Sequence, residues 1–182
     1  KGNHPVVHIS WDDAQAYCKW AGKRLPTEAE FEYASRGGVE NTLYSWGNEP
    51  VDRGDLKANV WEGKFPTNNK IKDEFYYTAP VKSYKPNKYG LYDIAGNVWE
   101  WCFDWYHYNY YKMVENQVSN NPQGPTNSFD PMEPYSPKKV IRGGSFLCND
   151  SYCSGFRNSM RMKSTADSSS LHTGFRTVMD IE

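Results

Sequence analysis

The sequence predicts an α+β fold with low regular secondary structure, and three observations support this prediction. Two helical patterns, each with N-terminal capping residues, lie before Gly38. Beyond Gly38 helical periodicity disappears, and Pro, Gly, Asn and Asp recur every few residues between short aromatic runs. Aromatic residues make up 16% of the 182 residues, beside 14 glycines and 11 prolines, so we expect a loop-rich domain with a Trp and Tyr core.

The first helix is predicted over residues 11–21. Ser10 is a good N-cap, and the two acidic residues that follow Trp11 favour the positive end of the helix dipole. Gly22 ends the helix. One face collects its small and aromatic side chains, namely Trp11, Ala14, Cys18 and Ala21. On that face we expect Cys18 to be a small core residue rather than a redox group.

The second helix is predicted from a capping box, with Thr27 at the N-cap and Glu30 three residues later. It should run to about Arg36 and end before the two glycines 37–38. Farther along, strands are expected at residues 5–9, 138–142 and 174–179. Residues 106–137 are rich in Tyr, Asn, Ser and Pro, and we expect them to be a surface excursion because a buried loop this polar would leave backbone donors unpaired.

Charge and hydropathy limit the classes of partner that the chain can be expected to bind. The formal net charge of −1 gives no field to attract nucleic acid or an anionic membrane, and there is no basic run. The chain has no apolar stretch of membrane-spanning length and no signal peptide at its start. We expect neither nucleic acid nor a membrane as a partner. The length suits a single domain over residues 1–182 with a sizeable core.

Cys148 and Cys153 lie in one short run, residues 142–153. Two soft sulfurs in one loop can bind Cu(I) or exchange disulfides with a substrate cysteine. The alternatives are a structural short-loop disulfide, half a zinc site or two unrelated core cysteines. Zinc is the least favoured, because Cys18 and Cys102 stand alone and the four histidines are scattered.

Two segments carry the oxygen ligands that Ca²⁺ prefers. The first joins Asn59 and Asp73, with carbonyl groups available at Val60 and Phe75. The second is residues 93–100, which has a carboxylate at each end and a glycine between them. Neither segment matches the EF-hand loop, so plain turns with solvated acids are the alternative.

Six blocks of sequence together resemble the formylglycine-generating enzyme (sulfatase-modifying factor) family, and they span nearly the whole chain. They are residues 4–11, 22–33, 87–93, 96–101, 142–145 and 174–176. The resemblance implies the formylglycine-generating enzyme fold, which is C-type-lectin-like. From Gly143 to Cys153 the chain also resembles the Gly-Gly-Ser-(two residues)-Cys-(four residues)-Cys motif of the catalytic members, which non-catalytic paralogues lack.

The resemblance implies a copper-dependent oxidase. Such an enzyme converts a cysteine in a Cys-x-Pro-x-Arg segment of an unfolded sulfatase to Cα-formylglycine, using O₂, Cu(I) and an external thiol reductant. Soft thiolates suit Cu(I), and copper supplies the one-electron O₂ chemistry that side chains lack. We expect a monomer whose partners are the sulfatase polypeptide, O₂ and the reductant.

The family's functional positions carry over to this chain. Cys148 and Cys153 would bind Cu(I), and Cys153 would form the mixed disulfide with substrate. Ser145, Trp99 and Tyr152 would line the oxygen and substrate pocket, and Arg161 would lie near the substrate peptide. Asn149 is a candidate substrate-binding residue at a position where the animal enzymes have histidine.

The family also binds two structural calcium ions. The implied ligands of the first are Asn59, Val60, Asp73 and Phe75. Those of the second are Asp93, Gly96, Val98 and Glu100. Hard-cation ligation is consistent with the side chains at these positions.

Several departures from the family pattern matter. The animal enzymes carry two structural disulfides, but Thr177 stands where Cys18 would have its partner, and Ser35 and Asn158 replace the second pair. That favours a bacterial-type, cytoplasmic enzyme, with a periplasmic location left open. The family has a segment before the position of His4, which this chain is expected to lack. Cys102 has no counterpart and is expected to be a core or free thiol.

Two other functions compete with the oxidase. One is a non-catalytic binding module on the same C-type-lectin-like scaffold. The other is an iron-dependent sulfoxide synthase, which needs a clustered histidine site that the four histidines do not make: His4, His8, His107 and His172. The cysteine pair favours the oxidase. We also expect both cysteines to lie on a surface loop, so that a serine in either place leaves the fold intact.

Overall fold

The computed structural model describes residues 2–180, and regular elements form a minor part of them. In chain order the elements are α1 (Trp11–Trp20), α2 (Glu28–Arg36), β1 (Trp99–Trp105), α3 (Tyr110–Met113), β2 (Lys138–Arg142), β3 (Met162–Thr165) and β4 (Thr173–Gly174). Loops and turns make up the rest. The α+β fold with low regular secondary structure is therefore confirmed.

The strands form one sheet in the order β3-β2-β1-β4. β2 pairs antiparallel with both β1 and β3, and Glu100 of β1 faces Arg142 of β2. β4 pairs parallel with the start of β1, where Trp99 lies beside Thr173. Helix α2 packs against β1 and β2. No helix within residues 2–180 is long and apolar enough to span a bilayer.

Both predicted helices are confirmed, and local capping explains them. The Ser10 hydroxyl accepts the Asp13 amide at 3.1 Å, and the Asp13 carboxylate accepts the Ser10 amide at 2.9 Å. Thr27 and Glu30 make the same reciprocal pair at the start of α2. Cys18 lies buried on α1 as a free thiol, as predicted.

The expected core of Trp and Tyr is confirmed for tryptophan but not for tyrosine, since Tyr44 is the one buried tyrosine among residues 2–180. The larger buried cluster contains Tyr44, Trp99 and Trp101, together with Phe156 and the side chain of Cys148. A second cluster gathers Cys102 with Phe31, Ile94 and Val140. Cys102 is fully buried and free, which agrees with its prediction as a core thiol.

The strand predictions are confirmed only at residues 138–142, which form β2. Residues 5–9 form no strand, because His8 has a φ of 57°, in the left-handed region, and this interrupts an extended segment. The predicted strand at 174–179 shrinks to the end of β4 and one bridge between Val178 and Arg24. The strand β3 was not predicted, since its sequence, Met-Lys-Ser-Thr, is polar and partly exposed.

Helix α2 is fixed to the sheet by a buried ion network around Glu28. The Glu28 carboxylate accepts from Arg142 at 2.6 Å and from two nitrogens of Arg161 at 2.6 and 2.8 Å. The second carboxylate in the network is that of Glu32, which pairs with Arg142 at 2.9 Å. The side chains of Glu28 and Arg142 are each 1% exposed, so these charges are desolvated and depend on one another.

Ser35 and Asn158, the two positions that the resemblance pairs with a disulfide elsewhere in the family, are joined here by a hydrogen bond. The buried Ser35 hydroxyl donates to the Asn158 side-chain oxygen at 2.8 Å. The Asn158 amide group in turn donates to the carbonyl oxygen of Thr42 at 3.1 Å. A polar contact therefore links α2 to the segment after the cysteine loop, where no covalent bond is available.

Residues 106–137 form a largely exposed excursion, as predicted, and one buried carboxylate anchors it. Asp130 accepts from Lys138 at 3.0 Å and from Lys163 at 2.5 Å, and its side chain is 1% exposed. These two lysines, with Lys163 the stronger influence, lower the pKa of Asp130 to about 2. The excursion is thus tied by charge to strands β2 and β3.

We expect Asp130→Asn to lower the free energy of unfolding at pH 7 by about 2 kcal/mol, because it discards a carboxylate whose pKa is depressed by folding. Because folding lowers its pKa, the Asp130 carboxylate stabilises the folded state at pH values above the unfolded pKa of 3.8. This stabilisation is lost as the pH falls towards about 2. Urea unfolding between neutral pH and pH 2 would measure this. The variant should show a flatter loss of stability on the acid side, and a curve parallel to that of the wild type would contradict the assignment.

Candidate active site

The loop that carries Cys148 and Cys153 closes on two glycines. Gly144 has a φ of 76°, and a Cβ added there would lie 2.7 Å from the carbonyl carbon of Gly155. A Cβ on Gly155 would in turn lie 2.4 Å from the nearest ring atom of Trp99. Only glycine at both positions allows this close approach. The base of the loop is therefore fixed against the start of β1.

Cys148 and Cys153 are joined as a disulfide, and their Cα atoms are 5.2 Å apart. Of the arrangements that the sequence left open, the structure has the short-loop disulfide. Cys148 is 2% exposed and belongs to the core cluster, whereas Cys153 is half-buried against that cluster. The expectation that both cysteines lie on a surface loop is wrong for Cys148, because its side chain packs among the core rings.

Asn149 organises the loop between the two cysteines. Its side-chain oxygen accepts the Tyr152 amide at 2.8 Å, and its backbone oxygen accepts the amides of Cys153 and Ser154 at 3.1 and 2.9 Å. The Asn149 amide group donates to the Gly63 carbonyl at 3.0 Å. The polar atoms of Asn149 are thus used to shape the loop and to hold it against residues 61–65.

Ser145 and Trp99 lie on the buried side of the same loop. Ser145 is fully buried, and its hydroxyl oxygen accepts the Leu147 amide at 3.3 Å. Trp99 is 4% exposed and packs in the core cluster that contains Cys148. The structure therefore brings Ser145, Trp99 and the cysteine pair into one small region.

Tyr152 faces outward from this region. Its side chain is 65% exposed, and its ring stacks on Phe65 with centroids 4.2 Å apart. Beside it lies a cleft of about 280 Å³, whose lining includes Asn149, Asp150, Trp61 and Glu62. Burial, and secondarily the negative charge of Asp73, raise the pKa of Glu62.

Arg161 is not brought to the cysteine loop by any of its described contacts. It makes two bonds to Glu28, donates to the His107 carbonyl at 2.9 Å and lies over the rings of Tyr106 and Tyr111. The guanidinium therefore joins Glu28 of α2 to the start of the excursion, residues 106–111. Arg161 thus has a structural role in joining α2 to the excursion, and its expected place near a substrate peptide stays a prediction.

The first oxygen-rich segment is assembled around Asp73. The buried Asp73 carboxylate accepts the Phe75 amide at 3.1 Å and the Tyr84 hydroxyl at 2.8 Å. Asn59 is also buried, and its amide group donates to the Tyr77 carbonyl at 2.8 Å. The neighbouring Val60 is 5% exposed. These side chains are fixed by hydrogen bonds and largely shielded from water.

The second segment adjoins the first, because the Asn97 amide donates to the Asn59 carbonyl at 2.8 Å. One oxygen of Asp93 accepts the Lys82 amide at 2.7 Å, whereas the other is buried and has no partner among residues 2–180. Burial raises the pKa of Asp93. Glu100 already pairs with Arg176 at 2.7 Å. The lining of the cavity at this point includes Asp93, Val98, Glu100 and Arg176.

No group of three or more His, Cys, Asp or Glu side chains placed to bind a metal occurs within residues 2–180. This includes the four histidines, of which His4 bonds to Thr78 and His107 lies in the excursion. His172 packs edge-on against Phe146, with ring centroids 6.4 Å apart. The histidine site that a sulfoxide synthase needs is therefore not found in the described part of the chain.

Sequence reasoning missed the aromatic residues that surround the loop. Phe65, Tyr76 and Tyr77 lie about 70 to 90 residues from the cysteines in sequence, but Phe65 packs on Tyr152 and Tyr77 on Phe146, with Tyr76 beside Tyr77. The run 75–77 was visible as aromatic, but nothing in its spacing points to the cysteine loop. The structural role of Asn149 was equally hidden, since it depends on the Gly63 carbonyl.

Comparison with known proteins gives a consistent result. The family model described as sulfatase-modifying factor enzyme 1-like domain matches residues 1–181. The chain is 48% identical over 178 residues to the formylglycine-generating enzyme of Thermomonospora curvata, covering 98% of this chain and 56% of that protein. It is 40% identical over 175 residues to an inactive C-alpha-formylglycine-generating enzyme 2 of Bos taurus, covering 94% of this chain and 49% of that protein.

The chain thus spans about half the length of the curated relatives it matches. Among solved structures, PvdO from Pseudomonas aeruginosa superposes with a TM-score of 0.71 at 24% identity, covering 96% of this chain and 61% of that chain. At this identity the likeness concerns the fold alone. Together with the family match, it confirms the fold that the sequence predicts.

Proposed function

Because the chain belongs to the sulfatase-modifying factor enzyme 1-like domain family, we propose that it oxidises a sulfatase cysteine to Cα-formylglycine. The observation that carries the proposal is the pair Cys148 and Cys153, held in one loop beside Ser145 and Trp99. Some relatives are named inactive, so the cysteine pair matters more than family membership. The substrate is a Cys-x-Pro-x-Arg segment of an unfolded sulfatase.

The electron balance of this reaction explains the co-reactants. Conversion of a CH₂–SH group to an aldehyde, with release of H₂S, removes two electrons from the substrate. O₂ accepts four electrons on reduction to water, so two further electrons are needed. An external thiol supplies them by going to its disulfide. The overall change consumes one cysteine, one O₂ and two thiol equivalents.

The donor set of the loop fits Cu(I). Reduction of the disulfide frees two soft sulfurs whose Cα atoms are 5.2 Å apart, and the substrate thiolate would be a third. Cys148 and Cys153 would hold the ion, and copper supplies the one-electron chemistry with O₂ that side chains lack. The nearly complete burial of Cys148 keeps one donor away from water.

The two sulfurs differ in access, which supports different roles for them. Cys153 is the more exposed of the two, so a substrate thiolate attacks its Sγ. The attack forms a bond between Cys153 and the substrate sulfur, breaks the bond to Cys148 and releases Cys148 as a thiolate. The external thiol then reduces this mixed disulfide, so that both cysteines and the substrate sulfur are available as the three donors. Asn149 fixes the position of Cys153 relative to Cys148, because it accepts hydrogen bonds from three backbone amides of the loop.

The neighbouring residues exclude water and orient the substrate. Trp99 and the fully buried Ser145 form an inner wall. In the bond with the Leu147 amide the Ser145 oxygen is the acceptor, so this bond leaves the hydroxyl proton free to be donated. Tyr152, stacked on Phe65, offers an exposed ring at the outer edge. Arg161, held by Glu28, would lie near the substrate peptide as the family pattern implies.

We further propose that both oxygen-rich segments bind Ca²⁺. The support is strongest at the second segment, where Asp93 lines a cavity and one of its buried carboxylate oxygens has no partner within residues 2–180. At the first, Asp73 and the desolvated Glu62 place two negative charges close together, which a cation would relieve. Asn59 and the carbonyl groups of Val60 and Phe75 would complete that site, and Gly96, Val98 and Glu100 the second.

Removal of Ca²⁺ should lower the melting temperature by roughly 8–16 °C. A ligand at a thousand times its Kd stabilises the folded state by about 4 kcal/mol, and for a protein of this size each kcal/mol shifts the melting temperature by roughly 2–4 °C. Thermal unfolding in excess EGTA and in millimolar CaCl₂ measures the difference. Asp93→Asn should reduce it, and equal melting temperatures in the two buffers would contradict both sites.

The proposed function is tested with a Cys-x-Pro-x-Arg peptide, incubated with the purified protein, Cu(I), O₂ and a thiol reductant. We expect the peptide cysteine to become an aldehyde, detected by reaction with a hydrazide probe. A folded, copper-loaded protein that leaves the peptide unchanged would instead favour a non-catalytic binding module on the same scaffold.

A further inference from the structure

Six aromatic side chains form a continuous arc around the cysteine loop. Successive ring centroids lie 4.2, 5.2, 6.4, 5.0 and 5.9 Å apart. Both ends of the arc belong to residues 145–153, and its middle comes from residues 61–77. In order, the members of this aromatic arc are Tyr152, Phe65, Trp61, Tyr76, Tyr77 and Phe146.

The arc has an exposed layer and a supporting layer. Its three tyrosines, Tyr76, Tyr77 and Tyr152, are 50%, 60% and 65% exposed. Each contacts a less exposed ring: Tyr152 stacks on Phe65, Tyr76 lies edge-on to Trp61, and Tyr77 lies edge-on to Phe146. Trp61 and Phe146 are only 7% and 2% exposed, so the tyrosines stand on rings that cannot move freely.

Backbone contacts hold the arc to the cysteine loop. The Trp61 amide donates to the Cys148 carbonyl at 2.9 Å, and the Tyr77 carbonyl accepts the Asn59 amide group at 2.8 Å. The exposed tyrosines are therefore positioned before any partner arrives. Rigid tyrosines give a large contact area at low entropic cost, which is why they are enriched in binding surfaces.

Scattered exposed aromatic residues need no explanation, but a contiguous row beside a reactive loop does. Tyr152 precedes Cys153 in the chain and exposes its ring to solvent, so it can contact a polypeptide whose cysteine reaches Cys153. From there the arc continues through Phe65 to Tyr76 without a break. The occupant that fits this continuity is an extended polypeptide segment.

We propose that the exposed tyrosines of the aromatic arc bind the residues that flank the reactive cysteine of an extended polypeptide, and select apolar and proline side chains there. This inference rests on the proposed function. Tyrosine rings contact proline rings and apolar groups, while their hydroxyls donate to the carbonyl groups that an extended chain leaves free. Tyr76 and Tyr77 thereby determine which flanking sequences are accepted.

The test compares binding with turnover. A fluorescent peptide that carries Ser in place of the reactive cysteine, with apolar and proline flanks, measures Kd by anisotropy without any reaction. The double variant Tyr76→Ala/Tyr77→Ala should raise Kd and KM by about tenfold or more, the effect of losing one or two interface tyrosines. The kcat should fall far less than KM rises. A peptide with Gly and Ser flanks should bind equally weakly to both proteins.

Tyr33→Ala is the matched control, because Tyr33 is 67% exposed and supported by another ring, that of Tyr89, outside the arc. It should change neither Kd nor KM. Unchanged peptide affinity in the double variant would overturn the proposal, and so would a change confined to self-association of the chain. If the wild type binds the Ser peptide through the tyrosines but converts no cysteine peptide, the arc stands and the proposed oxidase function fails.

Discussion

Cys153→Ser is expected to reduce conversion of a Cys-x-Pro-x-Arg peptide by at least about a thousandfold, the effect of removing one member of a unit that acts jointly. Without this sulfur the loop has a single soft donor and cannot form a mixed disulfide with the substrate. Cys153 is half-buried and lies at the edge of the core, so the variant should stay folded. Turnover is measured by aldehyde formation, and folding by circular dichroism in the same reducing buffer.

Cys148→Ser should also abolish conversion, but it is the weaker test. Cys148 is 2% exposed among core rings, and a hydroxyl there costs about 1–3 kcal/mol if it finds no partner. Cys18→Ala is the matched control, because it removes another buried thiol of the same cluster and should retain turnover. A Cys153→Ser protein with wild-type turnover would refute the two-sulfur mechanism.

Glu28→Gln is expected to lower the free energy of unfolding by about 3–5 kcal/mol, the effect of breaking a buried ion pair from one side. Glu28 is the acceptor for Arg142 and Arg161, and its side chain is 1% exposed. The amide that replaces it removes the negative charge and turns a donor towards two guanidinium groups. Urea unfolding monitored by tryptophan fluorescence measures the loss.

Glu32→Gln is the comparison that separates the effect of burial from the effect of losing a charge on the free energy of unfolding. Glu32 pairs with Arg142 and with Arg36, but its side chain is 26% exposed, so water can compensate for part of the lost charge. We expect a loss of about 1 kcal/mol, in the range of partly exposed ion pairs. Equal losses in the two variants would mean that burial of Glu28 does not determine the strength of the network.

Local signals explain which parts of the fold could be predicted. The helices α1 and α2 follow from Ser10 and Thr27, whose capping bonds reach only three residues along the chain. β1 was visible only as an aromatic run, because Glu100 and Asp104 are buried in it and no polar face marks the outside. The strand expected at residues 5–9 failed at His8, whose left-handed conformation no pattern indicates.

In the candidate site, too, the features set by local sequence could be predicted and those set by distant contacts could not. The spacing of Cys148 and Cys153, with Ser145 before them, is a property of one short loop and could be read from the sequence. The burial of Cys148 could not, since it depends on Trp61 and on core rings far along the chain. The ion pair of Arg161 with Glu28 could not be predicted for a related reason, because Glu28 lies far away in the sequence, on α2.

The measurement that tests the central claim most directly is mass spectrometry of a Cys-x-Pro-x-Arg peptide after incubation with the protein, Cu(I), O₂ and a thiol reductant. Cys153→Ser, shown to be folded, serves as the control. The account predicts that the wild type alone replaces the thiol of the peptide cysteine with an aldehyde. An unchanged peptide with the folded, copper-loaded wild type, or equal conversion by Cys153→Ser, would contradict it.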